Sequence, residues 1–385
     1  MPTQSAAIVG AGVAGLTLAL ALAKRGIRSD ILEQAETLTE VGAGLQISPN
    51  ASRILADVGV LDRLRPLWLE PESVDLRSGI SLKTKASVPM GAGAEQRWKA
   101  PYGVLHRATL QAALLQAVEE NALCTLHLGI RIEPKGIREI TAQLSTEPDV
   151  VVGADGVWSK CRALIAGGPS VRFSGNIAWR FVLPFAEAPS FLPRDRVVAF
   201  MAPGAHLVCY PLRDGGGFNL VAITSGMNAA ENWGSEGEPK RVAALRSHFD
   251  AWHPQLRALI DRHQSLLYWP LCEAGPGRWH DGQHLVLIGD AAHAMMPFMA
   301  QGAAMAIEDA EALARHLATS PVPAALDAYD AERRPRIVRL GKRADFNRMV
   351  YHARGPLRLG RDLVLALKPA NSYMADFDWL YGYGA

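Results

Sequence analysis

The sequence predicts an α/β fold into which a strand-rich region is inserted, and two patterns in the chain lead to this prediction. Close to the N-terminus, an apolar run at Ala6–Val9, a glycine turn, a helical stretch at Val13–Arg25 and a second apolar run at Ser29–Glu33 form a strand–helix–strand unit. Further along, short apolar stretches separated by Pro and Gly predict antiparallel strands; they are Ile177–Leu183, Val197–Met201 and Leu207–Pro211. Two further apolar runs, which predict buried strands like the one at Ala6–Val9, flank this region at Asp149–Gly153 and Leu285–Gly289.

The length of the chain and the order of these elements predict a discontinuous domain organisation. A chain of 385 residues exceeds the usual size of one core. We therefore expect a nucleotide-binding domain of residues 1–75, 100–170 and 280–330, a β-sheet domain of residues 76–99 and 171–279, and a C-terminal helical segment of residues 331–385.

Five further stretches have helical character. They are Pro49–Val58, Ala108–Asn121, Arg241–Ile260, Gln301–Leu317 and Ala324–Arg348. The last stretch is dense in Arg, and we expect it to present a solvated outer face.

Composition excludes several classes of function. The formal net charge of +2 argues against nucleic-acid or membrane binding driven by charge. The four cysteines include no CxxC pair and the histidines show no metal-ligand spacing, so we expect no disulfide framework and no metal site. The apolar run Ala6–Ala23 lacks a preceding basic segment and is interrupted by glycines, so we expect no targeting segment and a cytoplasmic location.

The glycine turn after the first strand has the spacing of a dinucleotide-binding motif. Gly10 permits the tight turn, Gly12 lets the backbone approach a pyrophosphate, and Gly15 lets the helix pack closely on the strand. Glu33, at the end of the second strand, can accept hydrogen bonds from ribose hydroxyls, and its neighbour Gln34 is a further candidate for cofactor binding. The turn alone leaves NAD and FAD as alternatives, and a plain glycine-rich turn as a third.

Two later motifs select FAD. The strand Val150–Gly153 leads into Asp155-Gly156, and a second strand ends at Gly289-Asp290. Asp290 can hydrogen-bond a ribityl chain. The helix that begins near Gly302 and Ala303 can direct its positive end at the flavin pyrimidine ring, where negative charge develops on reduction.

These motifs in this order resemble the class A flavoprotein aromatic hydroxylases, the single-component FAD-dependent monooxygenases that use NAD(P)H, and within them the salicylate hydroxylase and 6-hydroxynicotinate 3-monooxygenase types. The resemblance covers essentially the whole chain. Its further segments are Gly42–Asn50, His106-Arg107, Met299–Gly302, Ala306–Ala310 and Trp379–Tyr381.

The resemblance implies an aromatic-hydroxylase fold, with a glutathione-reductase-like, Rossmann-type FAD domain built on a mixed sheet and an inserted β-rich substrate domain. It implies that NADH or NADPH reduces FAD, that O2 forms a flavin C4a-hydroperoxide, and that this species hydroxylates an aromatic substrate. It also implies that Arg107 contacts FAD, that Asp155 serves both FAD and NAD(P)H, and that Pro297 lines the flavin ring. No second glycine motif serves NAD(P)H, so we expect transient docking between domains. The choice between NADH and NADPH, and between monomer and homodimer, stays open.

Two residues four apart in a predicted strand are the substrate-side candidates. His206 and Tyr210 face one side of that strand and can together bind and deprotonate a phenol. The alternative is that both side chains form ordinary hydrogen bonds on a sheet surface and have no role in substrate binding.

This sequence departs from its relatives at the substrate side. Gln46 stands where 6-hydroxynicotinate 3-monooxygenase has an active-site histidine, so 6-hydroxynicotinate itself is in doubt as the substrate. Ala303-Ala304 is a second, minor departure. Arg180 is a candidate for a substrate carboxylate, for NAD(P)H or for an interdomain ion pair. Two other functions are left open: an epoxidase or reductase acting on a non-aromatic substrate, and a flavin sensor without catalysis.

Overall fold

The computed structural model describes residues 3–38, 44–133, 135–226, 235–236, 239–262 and 266–384. Gly42 and Ala43 of the Gly42–Asn50 segment lie outside the described residues. The strands, in chain order, are β1 Ser5–Val9, β2 Arg28–Leu32, β3 Gly44–Ile47, β4 Ser73–Ser78, β5 Thr84–Pro89, β6 Gly103–His106, β7 Cys124–His127, β8 Val150–Gly153, β9 Val171–Pro184, β10 Val197–Ala202, β11 Ala205–Leu212, β12 Gly217–Ser225, β13 Ser235–Glu236, β14 Leu267–Ala274 and β15 Leu285–Leu287.

The helices occupy much of the remaining chain. In chain order they are α1 Val13–Ala23, α2 Pro49–Asp57, α3 Leu61–Leu64, α4 Ala92–Trp98, α5 Arg107–Glu119, α6 Ile137–Thr141, α7 Pro239–Ser247, α8 Pro254–Arg262, α9 Asp290–His293, α10 Gly302–Thr319, α11 Val322–Tyr351, α12 Gly355–Leu367, α13 Ala370–Ala375 and α14 Asp378–Tyr381. A short 3-10 helix lies at Cys161–Leu164.

The first sheet carries the predicted strand–helix–strand unit. Its five strands are ordered β15-β8-β1-β2-β7, and every described pair is parallel. Parallel strands with covered faces read as continuous apolar runs, which is why β1, β8 and β15 could be recognised in the sequence. Helix α1 is apolar almost all round and packs between this sheet and the helices α5 and α10, so ten of its eleven residues are buried. The carboxyl ends of β1, β8 and β15 meet at one edge, where the cofactor motifs begin.

The second sheet has eight strands in the order β13-β14-β9-β12-β11-β10-β4-β5. The sheet is mixed, because β10 and β4 are parallel while all other described strand pairs of this sheet are antiparallel. The α/β fold class with a separate strand-rich sheet is therefore confirmed. The division of the chain into three segments stays a prediction, and helix α11 continues through residue 331, where one boundary was expected.

The helical stretch predicted at Arg241–Ile260 is two helices, α7 and α8. Helix α7 ends at Ser247 and helix α8 begins at Pro254, because proline favours the first turn of a helix.

The Arg-rich helix α11 has exposed positions, as expected, but two of its arginines do not lie on a solvated face. Arg333 is fully buried and Arg336 is nearly so, because each pairs with carboxylates of the buried helix α10. Buried carboxylates require cationic partners, and composition alone does not reveal which arginines of a helix supply them.

No helix in the described part of the chain is both long enough and apolar enough to cross a membrane.

Candidate active site

A cavity of about 840 Å³ opens between the two sheets and helices α10 to α12. It gathers many of the residues that the sequence singled out: Gly12, Gln46, Arg107, His206, Tyr210, Asp290, Pro297, Gly302 and Ala303. The other candidates support the walls from behind or lie beside them: Gly10, Gly15, Glu33, Gln34, Asp155 and Gly289. The cavity has a cofactor end at the glycine turn and a substrate end at the second sheet.

The three glycines of the turn have three different physical roles. A Cβ on Gly10, which has φ +106°, would lie 2.6 Å from the Ala154 carbonyl oxygen, and a Cβ on Gly15 would lie 2.0 Å from the Gly10 carbonyl oxygen. A Cβ on Gly12 would have no heavy atom of the described chain within 4 Å, although Gly12 lines the cavity. Gly10 and Gly15 are therefore required by the protein itself. Gly12 leaves space on the cavity side, which fits a pyrophosphate approaching the backbone.

Glu33 holds the turn in shape. One of its carboxylate oxygens accepts a hydrogen bond from the Ala11 N–H at 2.8 Å, and the other accepts from the Ala35 N–H at 2.9 Å. Each carboxylate oxygen keeps a further lone pair, so the group can still accept from a ribose. Gln34, next to it, is exposed. On the other side, the Gln111 amide donates to the Ala11 carbonyl at 3.2 Å, a contact from α5 that no local sequence pattern indicates.

One arginine, Arg162, joins the two later motifs. Asp155 accepts hydrogen bonds from the backbone N–H groups of Lys160 and Cys161 at 2.7 and 3.1 Å, which fixes the turn after β8. From that turn, the buried guanidinium of Arg162 donates to the carbonyl oxygens of Asp290 and Ala291 at 3.0 and 2.8 Å. The Asp155-Gly156 and Gly289-Asp290 turns are thus held as one unit, and sequence reasoning missed the residue that does it.

The N-terminus of α10 points into the cavity. This 18-residue helix begins at Gly302, and Gly302 and Ala303 both line the cavity wall. The unpaired N–H groups and positive dipole end of such a helix suit an anionic ring edge. Ala300, two residues before the helix, has φ +52°, and Pro297 also lines the cavity. At the other side, Arg107 begins α5 and also lines the cavity.

A buried ionic cluster supports this end from behind. The Asp309 carboxylate accepts hydrogen bonds from the Gly289 N–H at 2.9 Å and from Arg333 at 2.7 Å, and it lies 2.5 Å from His293 Nε2. Burial alone would raise the pKa of Asp309, but the charges and hydrogen bonds of His293 and Arg333 outweigh it and lower this pKa to about 2. The carboxylate therefore stays ionised, and it fixes the Gly289 turn, whose φ of +58° favours glycine.

The neighbouring carboxylate, Glu308, connects the cluster to the C-terminal residues of the chain through Arg336. It pairs with Arg333, with Arg336 at 2.6 Å and with the Asn50 amide at 2.6 Å. Arg336 also donates to the Trp379 and Leu380 carbonyl oxygens, both at 2.7 Å. The C-terminal residues are thus connected to the wall of the cofactor end.

At the substrate end, His206 and Tyr210 lie on one face of β11 and line the cavity, with Val208 between them. Leu207 and Cys209 face the opposite way into the core behind the sheet. His206 is buried beside the rings of Phe298 and Tyr351, each with its centroid 5.2 Å away. Burial, followed by the nearby His352, lowers the pKa of His206 well below its ordinary value. Its imidazole is neutral near pH 7 and can accept a proton.

Gln46 reaches the same end from β3. Its side-chain oxygen accepts a hydrogen bond from the buried Tyr102 hydroxyl, and Tyr102 also lines the cavity. Tyr210 packs where Gly44 has no side chain, since a Cβ there would lie 2.6 Å from the tyrosine ring. Burial raises the pKa of both Tyr102 and Tyr210, so the two phenols stay protonated as hydrogen-bond donors. Tyr102 was missed by sequence reasoning, because only the pairing of β3 with β6 brings it to Gln46.

Arg180 lines the cavity on its outer side and stacks on Trp269, with its guanidinium carbon 4.9 Å from the ring centroid.

The fold and this site define a class: a dinucleotide-binding protein whose glycine turn, helix N-terminus and buried sheet face line one cavity. Comparison with known proteins supplies the family. Residues 3–344 match the model described as FAD binding domain. The chain belongs to this family of FAD-binding proteins, and the resemblance to the class A flavoprotein hydroxylases is confirmed.

Curated relatives cover nearly the whole chain. The chain is 34% identical to 3-hydroxybenzoate 6-hydroxylase 1 of Aquipseudomonas alcaligenes, with 97% of this chain and 96% of that protein covered. It is 33% identical to 3-amino-4-hydroxybenzoate 2-monooxygenase of Streptomyces cremeus, with 98% and 94% covered. It is 32% identical to 6-hydroxynicotinate 3-monooxygenase of Pseudomonas fluorescens, with 81% and 82% covered. The protein is an FAD-dependent monooxygenase.

Solved structures share the fold. HpxO of Klebsiella pneumoniae, complexed with FAD and uric acid, superposes with a TM-score of 0.83 at 22% identity, covering 98% of this chain and 96% of that one. A salicylate hydroxylase substrate complex superposes with a TM-score of 0.75 at 20% identity, covering 99% and 96%. FAD is the cofactor, and the open space at Gly12 and the α10 N-terminus fit it.

Proposed function

We propose that this enzyme uses NADH or NADPH and O2 to hydroxylate a phenolic aromatic acid of the hydroxybenzoate class, with His206 as the base that ionises the phenol. The observation that supports the proposal most directly is the arrangement of His206 and Tyr210 on one sheet face, lining the same cavity as Gln46 and Tyr102. The named substrates of the similar proteins are consistent with it.

The substrate end favours a hydroxylated ring over an apolar hydrocarbon. The apolar groups around it, among them Val208, Val221 and Phe298, suit the faces of an aromatic ring. The neutral imidazole of His206 suits a phenolic hydroxyl, and the protonated phenols and the Gln46 amide suit the oxygens of a carboxylate. An epoxidase or reductase for a non-aromatic substrate needs an end without polar groups beside His206, so this alternative is less well supported.

The residues have separate tasks in the reaction. His206 takes the hydroxyl proton of the substrate, and the resulting phenolate is the more nucleophilic ring. Tyr210 and the Gln46–Tyr102 pair orient the ring, while Pro297 and Phe298 exclude water from its face. Bound FAD supplies the hydride acceptor and the activated oxygen. Arg107, Asp290 and the N-terminus of α10 would hold the flavin, and the positive end of the helix dipole would stabilise the negative charge of the reduced ring.

The test is oxygen consumption by the FAD-loaded enzyme with NADH and NADPH, across hydroxybenzoates, aminohydroxybenzoates and hydroxypyridines, with identification of the products. We expect a hydroxylated product from at least one hydroxybenzoate. Slow peroxide release from every compound, with no hydroxylated product, would overturn the proposal.

A further inference from the structure

A second histidine lies directly behind His206. His352 follows the last residue of α11, and its Nε2 is 2.9 Å from His206 Nδ1. The two ring centroids are 5.1 Å apart with an angle of 44° between the planes, which is hydrogen-bonding rather than stacking geometry. Because His206 Nδ1 is used in this contact, Nε2 is the nitrogen left for a substrate in the cavity.

The imidazole pair spans the wall between two cavities. His206 lines the main cavity, and His352 lines a separate pocket of about 500 Å³ that is open to the surface. The surface pocket is polar, with Asn176, Ser225 and Asp345 on its lining. Residues common to both cavities form the wall around the pair: Met349, Ala353 and Leu357.

The surroundings of both rings disfavour a resident positive charge. Burial, followed by the charges of Arg348, Arg354 and His248, lowers the pKa of His352 to about 4. The Tyr351 phenol also lies against His206, and burial raises its pKa to about 12, so it stays neutral. The carboxylate of Asp345 faces the surface pocket and pairs with Arg348 at 3.7 Å. A proton taken up by His206 therefore has no stable place in the wall and must pass on to solvent.

We propose that His352 is a second member of the acid–base site and transfers the phenol proton from His206 to the surface pocket; this rests on the function proposed above. In the resting pair, His206 Nδ1–H donates to His352 Nε2. The substrate O–H bond breaks as the His206 Nε2–H bond forms, and the Nδ1–H proton moves to His352 Nε2. His352 then releases its own Nδ1 proton to water in the surface pocket. Each ring gains one proton and loses one, so both are neutral before and after.

A role for His352 as a hydrogen-bond partner alone predicts different behaviour. A glutamine at residue 352 can accept the His206 Nδ1–H bond through its amide oxygen, and it would hold the same tautomer. An amide oxygen is not basic and cannot pass a proton on. His352→Gln therefore keeps the positioning and removes the transfer.

The experiment mixes the oxidised holoenzyme with 3-hydroxybenzoate in a stopped-flow instrument, without NAD(P)H. Phenolate absorbance reports ionisation, and a pH indicator in weak buffer reports proton release. We expect His352→Gln to slow both signals at least tenfold, with FAD and substrate affinities unchanged. We expect His352→Ala to be slow and to recover with added imidazole, which can enter from the surface pocket. His127→Gln, the same substitution at a β7 histidine paired with Asp30, serves as the matched control and should equal the wild type.

Two results would overturn the proton-transfer role of His352 and leave the proposed function intact. One is a wild-type ionisation rate in His352→Gln. The other is a folded, FAD-loaded His352→Ala that ionises the substrate slowly and is not accelerated by imidazole. A wild-type enzyme that neither ionises 3-hydroxybenzoate nor hydroxylates any phenol of the oxygen-consumption panel would overturn the proposed function, and this inference with it. The two failures are thus distinguishable.

Discussion

The two ends of the cavity are built in different ways. The cofactor end depends on main-chain shape in short, contiguous segments: the turn from Gly10 to Gly15, the Gly289 turn and the start of α10. The substrate end depends on side chains that come from β3, the start of β6, β11 and the end of α11. A dinucleotide presents the same phosphates to every enzyme that binds it, whereas the substrate end must fit one particular ring. The comparison teaches that local sequence motifs can specify the first end, and only packing can specify the second.

The largest effect is expected at the ionic cluster behind the cofactor end. Arg333→Met leaves the buried carboxylates of Glu308 and Asp309 without their shared cation, and we expect a loss of about 3–5 kcal/mol in unfolding free energy. Denaturant unfolding at pH 7 measures it. Arg315→Met, which removes a half-exposed pair with Glu332, is the control and should cost less than about 1 kcal/mol.

The pH dependence gives this prediction a second check. The pKa of Asp309 in the folded protein, about 2, lies below its ordinary value of 3.8, so its ionisation stabilises the fold above pH 4. That contribution is lost as pH falls from about 4 to about 2. The difference between wild type and Arg333→Met should therefore narrow as pH falls toward 2, because the variant's carboxylates take up protons before those of the wild type do, and a constant difference would contradict the assignment.

The next largest effect tests whether main-chain contact specifies the cofactor end. Gly15→Ala places a Cβ 2.0 Å from the Gly10 carbonyl oxygen, so we expect a loss of about 3 kcal/mol and failure to retain FAD. Gly341→Ala, in α11, has no described heavy atom within 4 Å of the new Cβ and should be neutral or stabilising by about 0.5–1 kcal/mol. Equal stabilities of the two variants would refute the steric argument.

At the substrate end, His206→Asn should leave FAD binding nearly unchanged. Loss of the base is expected to lower kcat about 100-fold, the lower range for general-base catalysis. The measurement is kcat for the hydroxybenzoate that the oxygen-consumption panel identifies, together with FAD affinity. A parallel loss of FAD would mean that the two ends are not separate.

Gly12→Ala separates the two roles of the glycine turn. The Cβ meets open space in the protein, so unfolding free energy without FAD should be unchanged. With FAD, the methyl group meets the pyrophosphate, and we expect affinity to fall about tenfold, or about 1.4 kcal/mol. Unchanged FAD affinity would show that the pyrophosphate does not approach Gly12.

The smallest effect is expected at the Tyr102–Gln46 pair. Tyr102→Phe removes one hydrogen bond to the Gln46 amide, worth about 0.5–1.5 kcal/mol. We expect KM for the aromatic substrate to rise about threefold to tenfold, with kcat and FAD affinity retained. A change in kcat without a change in KM would instead place Tyr102 in the chemical step.

The fold and the cofactor could be predicted from the sequence because their signals are local. The apolar runs of β1, β8 and β15, the spacing from Gly10 to Glu33 and the Gly289-Asp290 pair lie in short segments whose conformation follows from nearby residues. The shared face of His206 and Tyr210 followed from the twofold period of a strand. The break between α7 and α8 was missed because the apolar periodicity of Arg241–Ile260 hides it, although Pro254 marks the start of α8.

The sequence by itself determined that this protein is an α/β flavoprotein, since the glycine turn and the two later motifs, Asp155-Gly156 and Gly289-Asp290, are short local segments that follow one another in a fixed order. Only the tertiary structure decided which side chains meet: Tyr102 with Gln46, Gln111 with the turn, Arg333 with Glu308 and Asp309, and His352 with His206. These partners are separated by 24 to 146 residues, and no periodicity along a chain encodes such a meeting. The physical reason is that buried polar groups must find partners wherever packing provides them.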